Sequence, residues 1–149
     1  EDSFDGLDAY REATENKEIS LRVNSSQYAS PSSWRRDMKY IKTRRFINSQ
    51  GFMNTVKIFA DGVIEAGTGA LLDPYVGTNN FGVLNWDPDT LKVVVSTLEN
   101  EGFQIHFHAI GDKAIRITLD AFEYAREKNG LNNMRHMISH AQLIHPEDI

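Results

Sequence analysis

Cysteine is missing altogether from the 149 residues, which removes disulfides, thiolate metal sites and cysteine nucleophiles together. Any metal bound here would have to be held by histidine, carboxylate or a modified side chain. No apolar run approaches the roughly 20 residues of a membrane span, and no secretory pattern is present. Both point to a soluble protein without a membrane partner, and we take a reducing cytoplasm as the expected compartment. Positive charge is in the minority: 16 Lys and Arg stand against 21 Asp and Glu, a formal net charge of −5, which argues against a nucleic-acid partner. Also missing are GxGxxG, a phosphate-loop pattern, GxSxG and HExxH, so nucleotide binding and serine hydrolysis lose their usual support.

Length sets a further bound. A chain of 149 residues suffices for one packed core, yet it falls short of the about 250 residues of a whole (β/α)₈ barrel. It opens on Glu1 rather than Met, and we expect residues 1–149 to be a single fragment of something longer.

What is present is an alternation of short β-like runs with helical patterns, the signal for βαβ units and a mostly parallel sheet. Three strands are clear and a fourth is weaker. Residues 4–16 read as a helix, with Leu7, Tyr10 and Ala13 at helical spacing, and Ile19, Leu21 and Val23 alternate as the weaker strand. Ser30 to Ser33 lead into a basic helix carrying Arg35, Arg36, Lys39, Lys42, Arg44 and Arg45 opposite Trp34, Met38, Ile41 and Phe46. That cluster reads as a solvated face, and the helix should stop near Gly51.

Thr55 to Ala60 is a compact strand rich in β-branched and aromatic residues. Residues 63–87 show no period but several glycines, hence a long loop of the kind that is usually functional or disordered. Asp87 and Pro88 should cap a helix with the apolar stripe Leu91, Val94, Val95 and Leu98, closed by Gly102. From Phe103 to His108 apolar and polar residues alternate strictly, putting Gln104, His106 and His108 on one face. A helix follows Gly111-Asp112, and residues 134–142 form the last strand, with His136 and His140 on one face. Pro146 then opens a further helix.

Three polar residues fall near the C-terminal ends of successive strands: Lys57, His108 and His140. That edge is where parallel α/β proteins build their sites. A lysine inside Val56-Lys57-Ile58 is costly to bury as an ammonium, and the plainer reading is an ion pair with Asp61 or Glu65. Two neutral imidazoles could hold zinc or a similar ion, although single strand histidines are more often hydrogen-bonded core residues. We keep that reading for His106, one layer deeper than His108, and for His136. Gly111-Asp112 is by default a turn and cap; alternatively Asp112 orients a ligand histidine.

Three segments taken together, Val56 to Thr68, His106 to Ala114 and Arg135 to Gln142, resemble the YtcJ-like branch of the amidohydrolase superfamily, often called amidohydrolase family 3. The resemblance implies a partial TIM (β/α)₈ barrel of three to four parallel βα units. It also implies one or two divalent ions, zinc by donor preference, in the full-length parent. Lys57, often carboxylated in the family, would be a metal ligand along with His108 and His140. The stretch from Asp61 to Tyr75 resembles the loop shaping the substrate pocket, which makes Asp61 and Glu65 candidate substrate-binding residues.

The implied reaction is metal-activated water attacking an amide-type C–N bond in a small-molecule substrate. The family's first-strand His-x-His pair is not recognised here, since His106 and His108 have that spacing but stand in surroundings that resemble the fifth strand, and no segment matches the eighth-strand aspartate. We therefore expect the fragment to be inactive by itself and to self-associate through exposed sheet edges. The competing reading is a metal-free α/β binding or regulatory domain of the same fold.

Overall fold

The computed structural model describes residues 5–149, without the side chains of Asp5 and Leu7. Its elements run α1 (Asp5–Glu15), β1 (Val23–Tyr28), α2 (Trp34–Thr43), β2 (Phe46–Ile47), β3 (Gly51–Phe59), α3 (Pro88–Asn100), β4 (Gln104–Ala109), α4 (Asp112–Asn129), β5 (Met137–His140) and a 3₁₀ turn at Pro146–Asp148. Strands β1, β3, β4 and β5 are parallel neighbours in that order, and β2 pairs antiparallel with β3. Sequential parallel strands joined through helices make this a run of parallel βα units, as the alternation of patterns implied, and such a run is consistent with the partial (β/α)₈ barrel that the resemblance implied.

The apolar parity of β3 and β4 fixes their outer face. Val56, Ile58 and Ala60 of the β3 segment and Ile105, Phe107 and Ala109 of β4 are fully buried, and they join one core with Leu91, Val94, Val95 and Leu98 of α3 and Ala114, Ile115, Ala121 and Ala125 of α4. Burying a residue such as Phe107 contributes about 1.5 to 3 kcal/mol. Helix α3 starts where Asp87 caps it: its carboxylate accepts the Thr90 amide at 2.9 Å, with Pro88 in the first turn. The opposite parity, Thr55, Lys57, Gln104, His106 and His108, forms the other, polar face.

The first helix forms over Asp5–Glu15, its expected start at Phe4 lying outside the described residues, and Tyr10 on its stripe is exposed. Other local expectations change. The first strand does not include Ile19 and Leu21, the latter 72% exposed; it begins at Val23 and continues through a polar run. That run is held by its ladder to β3 and by the buried Gln27, whose Nε2 donates to Ile41 O at 2.8 Å, so no hydrophobic alternation marks it.

The basic helix ends at Thr43 and not near Gly51, because Asn48 Oδ1 accepts the amides of Gln50 and Gly51 at 2.9 and 2.7 Å and folds β2 back on β3. Part of its basic face is also engaged: Lys42 pairs with Glu101, and the Arg45 guanidinium lies 3.8 Å from the Phe103 ring centroid. The Pro146 helix is a single 3₁₀ turn.

Candidate metal centre

Backbone register decides what meets on this polar face. Lys57 pairs with His106, and Phe59 with His108, so Lys57 stands level with His106. Its Nζ lies 3.4 Å from His106 Nε2 and 5.2 Å from the Phe59 ring centroid. Neither Asp61 nor Glu65 forms an ion pair with it among the described residues. Burial pulls the Lys57 amine below its ordinary value, since desolvation disfavours the ammonium. Burial also lowers His106, helped by the neighbouring Lys57 and His140, whose protonated forms would repel an imidazolium. His106 Nε2 contacts Ser139 Oγ on β5 as well, so one imidazole ties β3 to β5 across β4.

His108 is 7% exposed, and its Nε2 lies 2.9 Å from Gly62 O. A carbonyl can only accept, so Nε2 carries a proton, and in the neutral ring that leaves the lone pair on Nδ1. The His108 and His140 rings meet edge-on with centroids 4.7 Å apart.

By alternation His140 would share a side with His136, but it does not. His136 stacks on Phe122 of α4, 4.8 Å between centroids, and its Nε2 is 2.9 Å from Glu99 of α3. His140 instead adopts φ 76 and Ala141 φ 43, a left-handed backbone that ends the pleat and turns the imidazole toward His108.

The two carboxylates expected near substrate lie differently. Asp61 is 2% exposed; its Oδ1 accepts the amide of Ile110 at 3.1 Å and its Oδ2 those of Ala70 and Gly111, both at 2.9 Å. It also approaches His108 Nε2 at 3.5 Å. Glu65 is exposed on the loop after β3. Asp112 accepts the amides of Leu72 and Lys113 at 2.9 and 2.8 Å, and so ties the long loop to the start of α4. That loop, 63–87, is built by its own hydrogen bonds, among them Leu71 N to Phe81 O, Tyr75 hydroxyl to Gly69 O and Asn80 Nδ2 to Gly67 O.

Among the described residues, no group of three or more histidines and carboxylates is placed to hold an ion. The donors brought together are two imidazoles, with a desolvated lysine free of any carboxylate partner on the strand beside them. That set fits a borderline divalent ion as a partial shell. Sequence reasoning passed over Phe59, which shares the side of Lys57 and touches His108 at 5.0 Å between centroids; its odd-numbered parity with Lys57 was the available signal.

The sequence model of the amidohydrolase family matches residues 1–149. The Arabidopsis thaliana protein LONG AFTER FAR-RED 3 is 30% identical over 145 residues, 95% of this chain and 24% of that protein. Bacillus subtilis (strain 168) YtcJ, a protein named as an amidohydrolase, is 36% identical over 95 residues, 62% of this chain and 17% of YtcJ. The crystal structure of an uncharacterized metal-dependent hydrolase from Pyrococcus furiosus superposes with a TM-score of 0.74 at 28% identity, covering 95% of this chain and 28% of that one. The chain thus spans about a quarter of the length of the relatives it matches most fully.

Proposed function

This chain belongs to the amidohydrolase family, and from that premise we propose that it is the central part of a metal-dependent hydrolase that cleaves amide-type C–N bonds of small molecules. The observation that carries the reading is the meeting of His108 and His140 at the C-terminal ends of adjacent parallel strands, beside a Lys57 that is desolvated and lacks a carboxylate partner. Those three residues would hold the ion, zinc by donor preference and one or two in number. When bound, it supplies Lewis acidity for a carbonyl and for attacking water.

The chain's own residues prepare that site. Gly62 O fixes the His108 tautomer, leaving Nδ1 as the donor nitrogen. Lys57 without a counter-ion is suited to carboxylation, which replaces an unpaired, partly buried cation by an anionic oxygen ligand. Asp61 serves the substrate loop by holding it against the β4–α4 turn, and the exposed Glu65 is the carboxylate on that loop available to substrate. Asp112 acts through Leu72, not through a histidine.

The described residues bring together three candidate donors, Lys57, His108 and His140, so we assign these 149 residues no turnover of their own. No helix among the described residues is long and apolar enough to cross a membrane, and a cysteine-free chain suits a reducing cytoplasm. Metal analysis of the full-length parent is the test. Stoichiometric divalent metal that drops in Lys57→Ala, His108→Ala and His140→Ala supports the reading, whereas a metal-free, folded parent favours a binding or regulatory domain.

A further inference from the structure

We propose that Phe59, backed by Tyr28, is the wall that selects the substrate's apolar group, so that the site prefers amide-type substrates bearing an aromatic or similarly flat substituent. The inference rests on the hydrolase reading above and deepens it. Phe59 closes β3 on the side of Lys57 and is 39% exposed, although the face around it is polar: Thr55, Lys57, Gln104, His106 and His108. Because the chain spans about a quarter of its relatives' length, what marks Phe59 is its place beside the candidate donors and not its exposure.

The geometry points to a ligand as its cover. The Phe59 ring is 5.0 Å from the His108 ring and Lys57 Nζ is 5.2 Å from its centroid, so whatever lies on Phe59 is next to the candidate metal donors. Tyr28, itself 41% exposed, meets Phe59 edge-on at 5.7 Å and 67°. That contact fixes the ring plane from the β1 side and extends the apolar surface outward. Rings pack in offset or edge-on pairs with centroids about 4.5 to 7 Å apart. A flat substituent seated on Phe59 therefore keeps its attached carbonyl within the same small region as His108 and His140.

The test is affinity of the full-length parent, metal-loaded and metal-stripped, for benzamide and acetamide, measured by calorimetry or NMR titration. Benzamide is expected to bind about tenfold or more tightly than acetamide, with the ratio falling towards one in Phe59→Ala. Phe59→Leu, which keeps apolar bulk and so preserves the fold, should give an intermediate ratio. A wild-type ratio near one, or one that survives both variants, overturns the proposal. If protein rather than ligand covers Phe59, both variants lose thermal stability while the ratio stays, which also overturns it. Because the readout is binding, absence of metal or of hydrolysis counts against the hydrolase reading separately and leaves the ratio interpretable.

Discussion

Asp61 Oδ1 stands 3.5 Å from His108 Nε2 while the same carboxylate collects the backbone amides of Ala70, Ile110 and Gly111. One buried anion thereby joins the end of β3, the long loop and the β4–α4 turn. It also sets the environment of a candidate ligand histidine.

Asp61→Asn tests that joint. An amide offers one acceptor atom where the carboxylate offers two, so at least one of the three N–H groups faces an NH₂. Leaving a buried donor unsatisfied costs about 1 to 3 kcal/mol. Urea denaturation should show a loss of that size, and hydrogen exchange at residues 70, 110 and 111 should accelerate. Wild-type exchange rates at all three would show that the carboxylate is not what holds the turn.

Gly111 marks a close approach of backbones. A Cβ there would lie 2.0 Å from the Ala70 carbonyl oxygen, which accepts the Lys113 amide at 3.2 Å. Its φ of −75 is ordinary, so the cost of Gly111→Ala is steric alone, about 1 to 3 kcal/mol or more. The melting temperature should fall, whereas Gly6→Ala, with nothing within 4 Å of the added carbon, should leave it level or raise it. Equal effects from the two changes would contradict the packing described.

Acid sensitivity should centre on Glu99. Burial alone would raise its pKa, but hydrogen bonds from Asn132, Asn129 and His136 outweigh this and hold the carboxyl below its ordinary value. His136 Nδ1 accepts the Ile105 amide at 3.0 Å, so its Nε2–H is the one turned to Glu99. A depressed folded pKa means stability that is present above the unfolded value and lost as pH falls through the folded one. Glu99→Gln should therefore be less stable than wild type at pH 7, with the gap narrowing once pH drops below about 4. A gap that is constant with pH would remove the assignment.

Strands β1 and β5 each pair on one side only among the described residues. Open edges template association, so the isolated 149-residue chain should sediment as concentration-dependent oligomers. A monomer at all concentrations up to about 100 μM, a range set by ordinary weak association, would refute this.

Much of the arc was readable locally. The alternation from Phe103 to His108 located β4 and its two faces, and Asp87-Pro88 located the start of α3, because pleat parity and capping depend only on neighbouring residues. The positions of Lys57, His108 and His140 near strand ends were legible for the same reason. Their mutual arrangement was not: register sets Lys57 level with His106, and a left-handed backbone at His140 separates it from His136.

Strand and helix order, the buried outer face of β3 and β4, and the absence of any thiolate chemistry therefore follow from the residues alone. Only the tertiary structure decided that β1 is a polar strand, that β2 folds back as a hairpin, and that Asp61 is consumed by amides nine, 49 and 50 residues away. Those partners are distant in the chain, and a buried carboxylate goes where unsatisfied amides require it, a demand that no local pattern of residues records.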